Sequence, residues 1–325
     1  MKAFITGGTG FIGRRLIERL SQSGCELRCL VRRTGPAGEQ LERLGATLVP
    51  GDITDRSSVL RGMQGCDVVL HLADLYSFWE PRRDVFRRVN VLGTRNVMET
   101  ALETGIAKVV HVSTLGVYGK SADCPFREES APGAVRFCEY FETKHEGDEI
   151  VWDLRARRGL PAVVVYPGAV LGPGDEKASG QYIMNLIGRR LPATVFDDGV
   201  LTYVHVNDAA EIIARAAEKS GNAGERYFAA HERLSFRELN AMVSEISGVP
   251  LPLLRLPDLL TRCNAVLLTG LANTIKRPPL WGLATDQVRV MRRGFQGDGS
   301  KAERELGIKY TPIRVALEEA IASYR

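Results

Sequence analysis

The stretch TGGTGFIG, Thr6 to Gly13, decides the fold. It follows the apolar run Lys2 to Thr6 and leads into Phe11, Ile12, Leu16, Ile17 and Leu20, whose spacing predicts an amphipathic helix stopping near Gly24. Gly7, Gly10 and Gly13 therefore sit in the strand, turn and helix context of a dinucleotide fingerprint. Glycines there permit a tight turn, close backbone approach to a pyrophosphate and close packing of helix on strand, with the anion at the positive helix end. A glycine-rich turn without a ligand is the alternative, and the strand and helix signals around the motif disfavour it.

Outward from this motif, short apolar runs alternate with helical patterns. The predicted strands are Lys2 to Thr6, Glu26 to Val31, Thr47 to Pro50, Val68 to Leu72, Lys108 to Ser113 and Ala162 to Tyr166. Their near-continuous Val, Ile and Leu content suits a parallel sheet covered on both faces. The fold class is therefore α/β, a Rossmann-type doubly wound parallel sheet with a smaller, mostly helical substrate-binding lobe. The Gly/Pro cluster PGAVLGPGD, Pro167 to Asp175, marks where that lobe begins. The dinucleotide-binding domain is placed at residues 1–166, with 199–220 returning to it, and the second lobe at 167–198 and 221–325.

The 325 residues are 44% hydrophobic and 25% charged, which excludes disordered, collagenous and coiled-coil chains. A net charge of +4 is too small to imply a nucleic-acid or membrane field, so the expected partner is a small molecule. Six cysteines without a CxxC pair read as reduced thiols, no metal site is expected, and the opening MKAFITGG lacks a signal peptide's apolar stretch. A cytoplasmic location follows as an expectation. Leu259 to Ile275, broken by Arg262 and Asn264, is not expected to span a bilayer.

After the second strand come Arg32 and Arg33 rather than an acidic residue. Arginines there accommodate a 2′-phosphate, which favours NADP over NAD, although two arginines also solubilise a loop. Asp52, followed by Ile53, either hydrogen-bonds an adenine amino group or caps a helix beginning near Thr54.

Tyr140 and Lys144 form a YxxxK pair, which a helix brings to one face. A nearby ammonium favours the phenolate, so the expectation is a phenol made more acidic than usual. VSTLGVYG, Val112 to Gly119, places Ser113 and Thr114 at the end of an apolar strand, where α/β sheets bind ligands; either hydroxyl could hold a carbonyl oxygen, and a simple turn is the alternative.

With these segments the chain resembles the extended short-chain dehydrogenase/reductases of the NAD-dependent epimerase/dehydratase superfamily. The likeness runs through TGGTGFIG, Gly51-Asp52, HLAD from His71 to Asp74, NVLGTRNV from Asn90 to Val97, VSTLGVYG, YFETK from Tyr140 to Lys144, PGAVLGPGD and YVHVNDAA from Tyr203 to Ala210. It implies Tyr140 as proton donor or acceptor, Lys144 on the nicotinamide ribose, Thr114 or its neighbour Ser113 as the third catalytic member, and Asn90 as organiser of a proton path. It further implies that Pro167 and Gly168 border the nicotinamide amide and that the strand end at His71, Leu72 and Ala73 borders the cofactor. Two residues depart from the pattern: Asp74 stands where the family usually has a small residue, and Tyr166 where an arginine often precedes the Pro-Gly turn.

Leu201 occupies the position of the arginine with which nucleotide-sugar members grip a pyrophosphate, and leucine cannot imitate that clamp. The apolar stretch Leu251 to Trp281, the aromatic loop Leu75, Tyr76, Phe78 and Trp79, and the tail SKAERELGIKYTP resemble the dihydroflavonol-reductase and 3β-hydroxysteroid-dehydrogenase branch. These apolar residues form either a substrate pocket or only the second lobe's core. Arg82, Arg83, Arg87 and Arg88 read as a solvated helix face or a contact for an acidic substrate. The expectation is an NADP(H)-dependent reductase of an apolar ketone or aldehyde, with NAD(H) also possible. A nucleotide-sugar epimerase or dehydratase and a non-catalytic cofactor sensor are the alternatives, and the resemblance implies a homodimer.

Overall fold

In the computed structural model, which describes residues 1–324, the strands are β1 Lys2–Thr6, β2 Glu26–Val31, β3 Ala46–Pro50, β4 Val68–His71, β5 Lys108–Val112 and β6 Ala162–Pro167, followed by β7 Ala169–Leu171, β8 Ala193–Thr194, β9 Val200–His205, β10 Arg226–Ala229, β11 Glu232–Ser235 and β12 Leu254–Arg255. Seven of them form one parallel sheet in the order β3-β2-β1-β4-β5-β6-β10. The chain runs outward from β1 to β3 and then returns to the other side of β1, where β4 pairs Thr6 with His71. That reversal opens a crevice at the carboxyl ends of β1 and β4, the place where such sheets bind ligands.

Alternation along each strand feeds two cores. Ala3 and Ile5 of β1 and Val163 and Val165 of β6 enter one, packed beneath the helices Phe11–Gln22 and Val206–Glu218. Phe4, Ala162, Val164 and Tyr166 enter the other, beneath Arg56–Met63, Thr94–Glu103 and Glu139–Arg158. Each fully buried Val, Ile or Leu contributes about 1.5–3 kcal/mol, so a one-residue register slip would be costly all along the sheet. The first helix ends as the sequence suggests: Gly24 takes φ +69°, and its N–H and that of Cys25 close back on Ser21 and Leu20. All six cysteines are free.

Two boundaries differ from expectation. β9, in the segment expected to return to the first domain, instead pairs with β7 and β11 in a separate three-stranded sheet; only the helix after it, Val206–Glu218, packs back on the main sheet. Conversely β10, assigned to the second lobe, is the edge strand beside β6. A four-residue run buried among neighbours has no room to display a periodicity, so its sheet partner was not legible.

Candidate active site

The glycine turn is built around contacts that admit no side chain. Gly7 has φ +77°, and a Cβ there would lie 2.6 Å from the Ala73 nitrogen; one on Gly13 would lie 2.2 Å from the Gly7 carbonyl oxygen. Gly10 caps the helix without a side chain, and the N–H groups of Phe11, Ile12 and Gly13 find no protein acceptor among the described residues. Uncapped donors at the positive end of a helix, with the backbone bare, fit the pyrophosphate of a dinucleotide.

A cavity of about 480 Å³ starts at this turn, passes Arg32, Asp52 and Ile53, follows Leu72, Ala73 and Asp74 beyond β4, and reaches Ser113, Thr114, Tyr140, Pro167 and Gly168. Gly7, Gly10, Phe11, Ile12 and Gly13 all line it, whereas Arg33, Asn90 and Lys144 are not part of its wall. Asp52 does not cap a helix. Its carboxylate accepts from the Thr54 N–H and hydroxyl, both at 2.8 Å, and the following helix, Arg56–Met63, is capped by Asp55 instead.

The helix Glu139–Arg158 carries Tyr140 and Lys144 on one face, as their spacing requires. The Tyr140 hydroxyl donates to Asp74 Oδ2 at 2.9 Å, and Lys144 Nζ stands 3.6 Å from the same oxygen while donating to the Val112 carbonyl at 2.7 Å. The expected acidification is reversed: burial, and then the Asp74 carboxylate, hold the phenol well above its ordinary range. The YxxxK spacing reveals the ammonium but not the interposed carboxylate that offsets it. Tyr76 packs edge-on against Tyr140 at 5.1 Å.

The two hydroxyls at the end of β5 have different duties. Ser113 donates to Asp148 Oδ2 at 2.8 Å, and His111 Nε2 lies 3.1 Å from Oδ1 of the same carboxylate. Burial pushes Asp148 up to about 6 against the opposing pull of Lys144 and Ser113, and burial holds His111 well below its usual range. Thr114 only accepts, from the Gly116 N–H at 3.3 Å, so its own proton is left to donate. Sequence reading missed Asp148, although it lies one turn beyond Lys144 on the same helix face; that i, i+4 step was the available signal.

Asn90 falls in a π-helical turn, Arg87–Gly93, a distortion common at functional sites. Its Oδ1 accepts from the Leu75 N–H at 2.7 Å and its Nδ2 donates to Thr143 Oγ1 at 3.0 Å. Buried behind the wall, it ties the loop after Asp74 to the helix of Tyr140. His71 bridges Thr6 at 2.7 Å and Thr94 at 3.1 Å and is likewise kept neutral by burial.

The far end of the cavity is mostly apolar, walled by Ile183, Leu201, Phe236, Leu239, Val290, Met291 and Phe295 together with Leu75, Tyr76 and Phe78; Lys177, Ser179 and Gln287 are among the polar members of the wall on those elements or beside them. Trp79 is outside the wall, its Nε1 donating to Asn273 at 2.9 Å. No residue from Leu251 to Trp281 lines the cavity, and much of that stretch is exposed, so it makes no part of the pocket and joins the core only through a few residues such as Ala265. Of the arginine cluster, Arg82 pairs with Asp84, Arg83 with Glu139 and Arg87 with Glu146, all at the surface, which is the solvated-face alternative.

Comparison with known proteins identifies the family. Residues 3–230 match the profile of the NAD dependent epimerase/dehydratase family. A Synechocystis protein provisionally named a dihydroflavonol 4-reductase is 31% identical over 98% of this chain and 93% of its own length. Sterol demethylase protein B of Methylococcus capsulatus is 30% identical over 100% of this chain and 98% of its own. The crystal structure of gox2253 superposes with a TM-score of 0.83 at 32% identity, covering 99% of this chain and 97% of that one. The chain belongs to the NAD-dependent epimerase/dehydratase family and is an NAD(P)-dependent oxidoreductase.

Proposed function

We propose that the protein reduces a ketone or aldehyde of an apolar small molecule to an alcohol, preferring NADP(H), with Tyr140 as the proton donor. The observation that carries this reading is a protonated phenol on the wall of a cavity whose far end is mostly apolar. Hydride addition leaves an alkoxide, a stronger base than a phenolate, so a protonated phenol can give it a proton once the hydroxyl has left the Asp74 carboxylate that holds that proton in place. The relatives' names support the reading, one naming reduction of a dihydroflavonol, a ring ketone, and the other a sterol, an apolar ring system.

The bound nicotinamide would supply the hydride. The N–H groups of Phe11 to Gly13 would hold the pyrophosphate, and Arg32, which faces the cavity, would meet a 2′-phosphate. Thr114 would donate to the substrate oxygen and hold it beside Tyr140. As that oxygen gains charge, Tyr140 transfers its proton, its O–H having turned from Asp74 about a single C–O bond. Lys144 balances the Asp74 carboxylate, and Asn90 fixes the loop that carries it. Ser113, already committed to Asp148, is assigned a supporting role. A homodimer in the cytoplasm completes the proposal.

Leu201 supports the reductase over a nucleotide-sugar enzyme, because an aliphatic side chain on the wall offers no clamp for a second pyrophosphate. The test is a spectrophotometric screen of aromatic, steroid-like and β-keto carbonyl compounds with NADPH and NADH in parallel, after gel filtration. Expected are turnover with at least one class, faster with NADPH, and a cofactor that exchanges freely. NAD(H) retained through gel filtration, with no carbonyl reduced, would overturn it.

A further inference from the structure

A helix that is apolar around most of its circumference belongs in a protein interior or in lipid. The helix Asp258–Ile275 is packed onto the body through Thr261, Ala265 and Ala272, yet Leu259, Leu260, Val266, Leu267 and Leu271 on its other side are 53–70% exposed. Ten of the fourteen exposed large apolar side chains of the described residues fall between Leu253 and Trp281. Concentration of this kind marks an interaction site.

The charge around the face selects its partner. From Leu251 to Gly294 the chain has seven Lys or Arg and two Asp, a net +5, while the whole chain carries +4. The rest of the protein is therefore slightly acidic. Arg262, Lys276, Arg277 and Arg293 are exposed and have no ion-pair partner among the described residues. An outward apolar face, an unneutralised basic rim and an exposed Trp281 together are what lets a helix lie in the headgroup layer of a bilayer. No helix of the described residues is long and apolar enough to cross a membrane.

The face also adjoins the cavity. Asn273 accepts from Trp79, whose neighbour Phe78 is on the cavity wall, and the next helix, Thr285–Arg293, contributes Val290 and Met291 to the same wall. We propose that the helix Asp258–Ile275, with Leu280 and Trp281, docks on the surface of an anionic lipid bilayer and holds the apolar end of the cavity close to it. Docking stands apart from the carbonyl-reductase reading; only the further step, that substrate passes from lipid to cavity, rests on it. A second copy is the less favoured occupant, since a two-fold contact sets the same basic rim against itself.

The test is flotation of the full-length protein with vesicles of phosphatidylcholine alone or mixed with phosphatidylglycerol, beside gel filtration and thermal melting. The wild type should float with the anionic vesicles, less so as salt rises. L267E/L271E should lose at least about tenfold in affinity, and K276S/R277S about fivefold per charge removed, both with unchanged melting. Failure of the wild type to float, or equal flotation of L267E/L271E, would overturn the proposal. A concentration-dependent dimer that L267E/L271E makes monomeric, without vesicle binding, would assign the face to a second copy instead. None of these readouts uses turnover, so the reductase reading can fail while docking holds.

Discussion

Asp74 accepts a 2.9 Å hydrogen bond from the Tyr140 hydroxyl and lies 3.6 Å from the Lys144 ammonium, so the carboxylate stands between the two members of the YxxxK pair. Its charge, added to burial, keeps the phenol protonated. Asp74→Asn removes the negative charge and leaves Lys144 to favour the phenolate, so the Tyr140 pKa should fall. The measurement is the pH profile of kcat/KM for reduction: the wild type should show no alkaline loss from this group up to about pH 10, its ordinary value, whereas the variant's limb should move to lower pH. An unchanged limb would remove Asp74 from the account.

Cofactor preference should divide between the two arginines after β2. Arg32 is on the cavity wall and Arg33 is not. Loss of one charge-assisted phosphate contact costs about 1.5–3 kcal/mol, so Arg32→Ser should weaken NADPH binding by about tenfold to a hundredfold and leave NADH nearly unaffected. Arg33→Ser should do much less. Titration of both cofactors against both variants decides this.

Gly13→Ala sets a methyl group 2.2 Å from the Gly7 carbonyl oxygen. Backbone cannot yield as a flexible side chain would, so the helix must shift from the first strand at a cost of about 1–3 kcal/mol. The variant should melt lower and bind dinucleotide poorly. Normal melting and affinity would mean that the close packing of turn and helix is not required.

Stability should depend on pH through Asp148. A carboxyl whose folded pKa is raised contributes stability that is complete below its unfolded value, about 3.9, and is lost as pH climbs through the folded value of about 6. His71 and His111, depressed by burial, act oppositely: they favour folding above about 6.5 and lose that contribution as pH falls. The comparison of wild type with Asp148→Asn isolates the carboxyl. Between pH 5 and 7.5 the wild type should lose about 1 kcal/mol relative to the variant in urea unfolding. A pH-independent difference would place the charge elsewhere.

What the sequence made legible follows the length scale of each feature. The glycine turn, six strands of the main sheet and the Tyr140 helix are local patterns carried by periodicity and backbone demands. Asp74 on Tyr140 spans 66 positions, and Ser113 on Asp148 spans 35. Those contacts depend on how β4, β5 and one helix are stacked, so Asp74, Tyr140 and Ser113 were visible, but Asp148 and the electrostatics that join these groups were not. The stretch from Leu251 to Trp281 misled for a related reason: its composition is that of a core, and only packing reveals that half of the helix faces outward.

The account stands most directly on the Tyr140 proton. With any carbonyl substrate found in the screen, the rate of NADPH oxidation by Tyr140→Phe should fall by about 10² to 10⁴ while NADPH affinity and melting stay near wild type. Turnover within a few-fold of wild type in that variant would contradict it.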